Sequence, residues 1–125
     1  MARGVGVFTV NLIELAEALQ LENLTPKVSL NPARQIAGGY ATDLLSDVLA
    51  HAPEDGVLVT VQVHLNVLAV CVHAKLAAAI FTLGRHPDEF TRSKAEEEGL
   101  VLFSTEATTF DVAGKLYALG LRGPA

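Results

Sequence analysis

The sequence has one cysteine, no tryptophan and only 6% aromatic residues. A single cysteine cannot form an internal disulfide, so the fold depends on its hydrophobic core, and a reducing, cytoplasmic location is expected. Half of the 125 residues are hydrophobic and 18% are charged, which argues against disorder. The length suits one domain, predicted to span residues 1–125 with a core from about 10 to 121.

Basic residues and long apolar runs are also scarce. The nine lysines and arginines are scattered and the formal net charge is −5, so no nucleic-acid partner is expected. The longest apolar run, residues 67–72, is far shorter than the ~18 residues of a membrane span. Asn11, Glu14 and Glu17 interrupt the amino-terminal apolar patch before a signal-peptide core forms. Neither membrane binding nor a leader is predicted.

Enzyme motifs are missing as well. The chain has no phosphate-binding loop, no G-x-G-x-x-G fingerprint and no G-x-S-x-G elbow. Cys71 lies in an apolar stretch and is expected to be a buried thiol. A zinc site of His64, Cys71 and His73 lacks a fourth ligand, and His73 would point away from the other two. The sequence therefore predicts no catalytic residue, no metal and no cofactor.

Helical and extended patterns alternate along the chain. Apolar spacing predicts helices over residues 10–21, 43–52, 65–76, 84–99 and 108–120. Apolar, β-branched stretches predict strands at 57–63, 77–83 and 100–105, with a shorter strand in 35–43 that runs into a Gly-Gly turn and an extended piece at 27–30. This alternation predicts an α/β domain, a three-layer α/β/α sandwich with a mostly parallel sheet.

Several residues are assigned to helix ends and faces. Asn11 and Glu14 form a capping box, Pro87 occupies the first helical position and Gly99 ends that helix. Two sets of residues are expected to face the core: Leu44, Leu45, Val48, Leu49 and Ala52 in the second helix, and Phe110, Ala113 and Tyr117 in the last.

Polar residues follow the predicted strands, where ligands of open α/β sheets collect beside helix N-termini. Gln62, His64 and Asn66 follow one strand; a ligand site and a simple helix cap are equally consistent with them. Arg85 and His86 follow the next strand and are placed to meet an anion. A last group of hydroxyl residues follows the final strand: Ser104, Thr105, Thr108 and Thr109.

The segment 38–47 is a further candidate. Gly38 and Gly39 permit a positive φ or the close approach of a ligand. Thr42 or Asp43 can cap the helix that follows. Asp43 and Asp47, one helical turn apart, are able to bind Mg²⁺ or share acid–base chemistry, but the cap is the favoured interpretation.

Four segments in order resemble stand-alone proteins of the DRTGG domain family: GGYATDLLSDVLAHA, VTVQVHLNVLAV, LGRHPDEFTRSKAEEEGLVLFSTEATTF and AGKLYALG. The resemblance covers roughly residues 10–121, and Gly84-Arg85-His86-Pro87-Asp88 is the nearest counterpart of the motif that names the family. It implies a fold similar to the N-terminal domain of HPr kinase/phosphorylase, which lacks that enzyme's catalytic phosphate loop, and a regulatory role in larger proteins.

The leading hypothesis is a non-catalytic regulatory module that forms a homodimer and binds a small anionic metabolite or nucleotide. The predicted site residues are Gly38, Gly39, Asp43, Gln62, His64, Asn66, Arg85 and Thr105. One alternative is an interaction module without a ligand, which docks a partner around Leu44, Asp47 and Leu65. The other is a small metal-dependent hydrolase built on Asp43, Asp47 and His64.

Overall fold

Five strands and five helices are present in residues 9–124, the part of the chain that our computed structural model describes. The helices are α1 (Leu12–Leu19), α2 (Leu45–His51), α3 (Leu65–His73), α4 (Glu89–Glu98) and α5 (Thr109–Ala118). The strands are β1 (Glu22–Asn23), β2 (Gly39–Ala41), β3 (Val57–Thr60), β4 (Ala78–Phe81) and β5 (Val101–Ser104). Residues 1–8, which include most of the apolar patch considered as a leader, lie outside the described residues.

The strands form one sheet in the order β1-β5-β4-β3-β2. Strands β2 to β5 are parallel neighbours, and only β1 runs antiparallel, against β5. Leu58, Ala79 and Leu102 are aligned across the three central strands. The predicted mostly parallel sheet is therefore confirmed.

Helices cover the sheet on both faces, as predicted. Each of α2, α3 and α4 connects one parallel strand to the next, and right-handed crossovers place all three on the same face, where α2 contacts α3 and α3 contacts α4. α1 and α5 lie on the other face, with α5 against β2 and β3. The molecule is a three-layer α/β/α sandwich.

The central strands are buried throughout, which explains why they are almost entirely apolar. All four residues of β3, β4 and β5 are buried. Alternate side chains enter the two cores: Val59, Ile80 and Phe103 pack on the α1–α5 side, whereas Leu58 and Leu102 pack on the α2–α4 side.

The ends of α1 and α4 agree with the sequence at two positions and differ at one. The capping box of α1 is confirmed: the Glu14 amide donates to Asn11 Oδ1 at 2.8 Å, and the Asn11 amide donates to Glu14 Oε1 at 3.0 Å. Gly99 ends α4 with φ 72°, as predicted. Pro87, however, precedes the helix, because the Asp88 carboxylate accepts from the Thr91 amide and makes Asp88 the N-cap.

The predicted face of α5 is wrong, and that of α2 is correct in part. In α2, Val48 is buried, and Leu45 and Ala52 pack against the same core, as predicted. Leu44 and Leu49, however, are 63% and 49% exposed. In α5 the buried residues are Val112 and Leu116, while Phe110 and Tyr117 are 86% and 59% exposed. Both helices have apolar residues on two sides, so the pattern alone did not say which side meets the sheet.

The irregular segments also differ from prediction. The extended piece after α1 is β1, at Glu22–Asn23, and residues 27–30 form no strand. β2 starts at Gly39 instead of ending before the glycines. Gly38 lies so close to the carboxyl-terminal segment that a Cβ there would be 2.6 Å from the Arg122 carbonyl oxygen, so glycine is required for packing.

Two apolar residues of α1 allow a direct test of the core. Leu15 is fully buried and Ile13 is 41% exposed. Leu15→Ala should lower the free energy of unfolding by about 2–5 kcal/mol, because it leaves a cavity. Ile13→Ala should change it by less than about 1 kcal/mol. Urea denaturation measures both, and equal losses would contradict this packing.

Candidate ligand site at the carboxyl edge of the sheet

The connections that follow β4 and β5 leave the sheet toward opposite faces. The loop after β4 leads to α4 on one face, and the loop after β5 leads to α5 on the other. In open α/β sheets this change leaves a crevice outside the carboxyl ends of the two strands, where ligands bind. We call the loop residues 82–86 and 105–109 the β4–β5 crevice.

Hydrogen bonds fix the two loops of the crevice to each other. The Gly84 amide donates to the Thr105 carbonyl oxygen at 2.8 Å, and the Leu83 amide donates to that of Ala107 at 3.0 Å. The hydroxyl groups of Thr82 and Thr109 are 2.8 Å apart. The loops are therefore held in one arrangement before any ligand arrives.

The backbone is strained where the first loop leaves β4. Leu83 and Gly84 have φ values of 60° and 68°, in the left-handed region. A leucine rarely adopts this conformation, and such strain concentrates at functional sites. Gly84 is also crowded, since a Cβ on it would lie 2.7 Å from Glu106 Oε2. Sequence reasoning missed Leu83 and Glu106, although the Leu-Gly pair after a strand was a usable signal.

Arg85 presents a cation at the crevice. Its main chain is fixed, because its amide donates to the Thr82 carbonyl oxygen at 3.2 Å and its own carbonyl accepts from Ser104 Oγ at 2.8 Å. The side chain is exposed, and no ion pair or hydrogen bond involves it within residues 9–124. This is the position that the sequence analysis predicted for an anion-binding residue.

Unlike the side chain of Arg85, the ring of His86 is paired within the protein. Its Nε2 lies 2.9 Å from the Glu22 carboxylate, and its Nδ1 lies 3.0 Å from the Gly84 carbonyl oxygen. The ring thus connects the crevice to β1. Its prediction as a second anion ligand is wrong, because pairing with Glu22 directs it elsewhere.

A cavity of about 250 Å³ lies beside the crevice, lined by Gln20, Glu22, Ser104, Thr105 and Glu106. Thr105 is half-buried, and its hydroxyl accepts from the Ala107 amide at 3.2 Å. With two carboxylates and two hydroxyl groups, this cavity favours hydroxyl or amino groups of a ligand over its anionic groups.

Asp43 and Gln62 lie at the same edge of the sheet, but their side chains make hydrogen bonds that hold its loops in place. Asp43 Oδ1 accepts from the Thr60 hydroxyl at 2.8 Å and from the Val61 amide at 2.9 Å. The Gln62 side chain donates to the Asp43 carbonyl oxygen at 3.3 Å. Asp43 therefore ties the β2–α2 loop to the end of β3 and does not cap α2. The N-cap residue is Leu44, whose amide donates to Thr42 Oγ1.

His64 and Asn66 lie at the start of α3. His64 Nδ1 accepts from the Asn66 amide at 3.1 Å, so the cap interpretation of His64 is confirmed. The Asn66 side chain is exposed. His64 also lies close enough to Asp88 to help lower the pKa of that carboxyl, although the main cause is the hydrogen bond from the Thr91 amide. The N-termini of α3 and α4 are thus neighbours.

The structure does not bring Gly38 and Gly39 to this edge. They lie at the amino end of β2, where the Gly39 amide donates to the Arg122 carbonyl oxygen at 3.0 Å. Neither has a positive φ. Gly38 leaves room for the carboxyl-terminal segment, and Gly39 pairs with that segment through its backbone, which sequence spacing did not reveal.

The two aspartates of the hydrolase alternative make hydrogen bonds to different partners. Asp43 holds Thr60, while Asp47 accepts from the Tyr40 hydroxyl at 2.8 Å and contacts His51 at 2.9 Å. These hydrogen bonds lower the pKa of Asp47. No group of three histidine, cysteine, aspartate or glutamate side chains suited to a metal is found among residues 9–124. Cys71 is buried as predicted, and burial raises its pKa to about 12.

The described residues contain no helix long and apolar enough to cross a membrane. No family model and no curated protein matches the sequence. The fold class is nonetheless one known from solved structures, a three-layer α/β/α domain.

A similar solved structure is that of the CBS and DRTGG domains of the regulatory region of Clostridium perfringens pyrophosphatase, in complex with its activator, diadenosine tetraphosphate. The TM-score is 0.70 over 90% of our chain, at 15% sequence identity, and our chain spans 47% of that chain. The DRTGG-like fold inferred from the sequence is thus confirmed as a fold.

The carboxylate of Asp43 offers a test of how the edge is held. Asp43→Ala removes the acceptor of the buried Thr60 hydroxyl and should lower the free energy of unfolding by about 1–3 kcal/mol. Asp43→Asn keeps one acceptor oxygen and should lose less. Glu54→Ala, an exposed acid in a turn, is the control and should change stability by no more than about 0.5 kcal/mol. Equal values for Asp43→Ala and Glu54→Ala in urea unfolding would exclude this role.

The N-cap of α4 predicts an acid-dependent contribution to stability. The pKa of Asp88 is below its ordinary 3.8 in the folded protein, so its contribution is complete above 3.8 and is lost as pH falls through the lower folded pKa. Asp88→Asn keeps a capping oxygen but does not titrate. The stability difference between wild type and Asp88→Asn should therefore be constant near neutral pH and shrink in acid. A difference that grows in acid would have the wrong sign.

Proposed function

We propose that the chain is a non-catalytic regulatory module that self-associates and binds a small anionic metabolite or a nucleotide at the β4–β5 crevice. The observation that carries this proposal is Arg85. Its backbone is fixed by Thr82 and Ser104, whereas its guanidinium is exposed and has no carboxylate partner among residues 9–124. An unpaired guanidinium on a fixed backbone suits recognition of phosphate or carboxylate.

The neighbouring groups support a ligand that also carries hydroxyl groups. Glu106 and the Thr105 cavity suit hydroxyl groups, so a ligand that carries both phosphate and hydroxyl groups fits better than a simple anion. Sugar phosphates and nucleotides have this chemistry. Asp43, Gln62, His64 and Asn66 form the flank of the same edge. Gly38 and Gly39, at the opposite end of β2, are left out of the proposed site.

The fold comparison supports this class of function. The similar protein is the regulatory region of a pyrophosphatase, and its activator is a nucleotide that carries several phosphates. Our chain spans 47% of it, so we take from this comparison the regulatory role and the ligand class and leave aside the pyrophosphatase activity.

Regulation requires only that the ligand favour one arrangement of the self-associated module over another. We place the module in the reducing cytoplasm, where the single cysteine remains a thiol. Cys71 is a poor nucleophile in this fold, because its raised pKa keeps the thiol protonated at neutral pH.

A different observation favours a second candidate function, an interaction module that binds a protein partner and no small ligand. The side chains of Asp43, Gln62 and His64 already make hydrogen bonds to loops and helix ends of the protein itself. This is expected if these residues only stabilise the fold and bind no ligand. Large apolar residues are exposed around it, namely Leu44, Leu65, Leu83, Phe90 and Phe110. A surface of this kind suits a protein partner.

A thermal-shift screen with nucleotides, diadenosine tetraphosphate, sugar phosphates and inorganic phosphate tests the ligand proposal. A ligand at 100 times its dissociation constant should stabilise the protein by about 2.7 kcal/mol. Calorimetric titration of any hit should show binding at least about tenfold weaker in Arg85→Ala, because a charge-assisted hydrogen bond is lost.

The matched control is Lys115→Ala, which removes the same charge from the last turn of α5, away from the crevice. It should leave affinity unchanged. Equal weakening in the two variants would show that Arg85 acts only through the net charge of the protein and not by direct contact with the ligand. Unchanged affinity in Arg85→Ala would remove the anion anchor, and a screen without any hit would favour the interaction module.

A further inference from the structure

An open groove runs between α3 and α4 on the outer surface of the sandwich. Its volume is about 460 Å³, and its lining is mostly apolar on the α3 side and charged on the α4 side: Leu65, Leu68, Ala69, Val72, His73, Lys94 and Glu98. We call this the α3–α4 groove. It is separate from the β4–β5 crevice and from the hydrogen bonds that hold the crevice.

Large apolar side chains are exposed along the groove. Leu65 and Val72 are each 38% exposed. Phe90, which is 62% exposed, lies on α4 at the helical spacing that places it on the same side as Lys94 and Glu98. A partner in the groove would remove all three apolar side chains from water.

The charges of α3 differ from those of the other helices. Its nine residues contain no aspartate, glutamate, lysine or arginine, and its first turn has no acid. Each of the other four described helices has an acidic residue in its first turn, namely Glu14, Asp47, Glu89 and Asp111. The first turn of α3 thus supplies no carboxylate of its own to the positive N-terminal end, where one is commonly found. Within one subunit, the acid near this end is Asp88 of the α4 N-cap.

Glu98 lies at the opposite end of the groove. α3 and α4 each follow a parallel strand, so they run in the same direction, and their N-caps His64 and Asp88 are neighbours. Glu98 is the last residue of α4 and therefore lies near the carboxyl-terminal end of α3. A helix that runs antiparallel to α3 in the groove would bring its own N-terminus to Glu98.

We propose that α3 of a second copy of this chain occupies the α3–α4 groove, antiparallel to α3, in a two-fold symmetric dimer. Glu98 then supplies each partner's α3 with the acid that its first turn lacks. Leu65 lies against Val72 of the partner subunit, and Ala69, midway between them, permits close approach. This surface rests on the self-association proposed above and specifies where it occurs.

A second copy fits the groove better than an unrelated charged helix. The groove wall carries both signs, Lys94 and Glu98, so a strongly basic or acidic helix would meet one like charge. α3 is apolar and carries no acidic or strongly basic side chain. The contact is also isologous, since each α3 lies in the groove of the other, and such contacts form closed dimers.

Sedimentation velocity of the full chain over a range of concentrations tests the proposal. Leu65→Glu places an acid in the first turn of α3, which favours the helix itself, but it faces Glu98 of the partner subunit. We expect the dimer dissociation constant to rise by at least about tenfold through like-charge repulsion. Glu98→Lys should weaken the dimer too, and combining it with Leu65→Glu should restore association through the opposite-charge pair.

The matched control is Ile13→Glu, which adds the same charge to the first turn of α1 on the other face of the sheet. Ile13 is 41% exposed, close to the 38% of Leu65, and the control should dimerise like wild type. Circular dichroism and thermal unfolding confirm that each variant is folded.

The outcomes separate the two proposals. A wild-type dimer that is unaffected by Leu65→Glu would overturn the α3–α4 surface while leaving self-association intact. A wild-type chain that is monomeric at every concentration would overturn both. Ligand binding is read independently through Arg85, so its loss or retention does not depend on the dimer assay.

Discussion

Burial of the parallel sheet on both faces is the constraint on which the rest of the structure depends. The residues of β3, β4 and β5 are all buried, so neither face tolerates water and each needs its own layer of helices. Three successive right-handed crossovers fill one face with α2, α3 and α4. The last helix must then cross to the other face, and that change of side opens the crevice between β4 and β5. The candidate ligand site is therefore a consequence of covering the sheet.

The edge of the sheet shows how one set of polar residues serves two purposes. Asp43 and His64 hold loops and helix ends in place, and these bonds use side chains that looked available from their position in the chain. Arg85 is different, because its main-chain groups do the holding and its guanidinium remains exposed. The strained backbone of Leu83 lies beside it, on a loop that hydrogen bonds to the loop of the other strand keep in one conformation.

The two proposed surfaces use different parts of the fold. The crevice lies where α4 and α5 leave the sheet on opposite faces, and the groove lies between α3 and α4 on one face. α4 is common to both, with its N-terminus beside the crevice and Glu98 in the groove. A ligand that repositions the start of α4 would therefore act on the helix that forms one wall of the proposed dimer contact. This shared helix gives a physical route by which binding would alter association.

The sequence by itself determined the layers of this protein. Apolar strands that alternate with capped helices have one favourable arrangement, a parallel sheet between helices, and the capping box at Asn11 and the stop at Gly99 depend only on neighbouring residues. The tertiary structure alone decided which side of α2 and α5 faces the sheet, because Leu44, Phe110 and Tyr117 are as apolar as the residues that are buried. It also decided that His86 pairs with Glu22, and that Gly38 makes room for Arg122. These contacts join residues far apart in the chain, and local spacing carries no information about which of them meet.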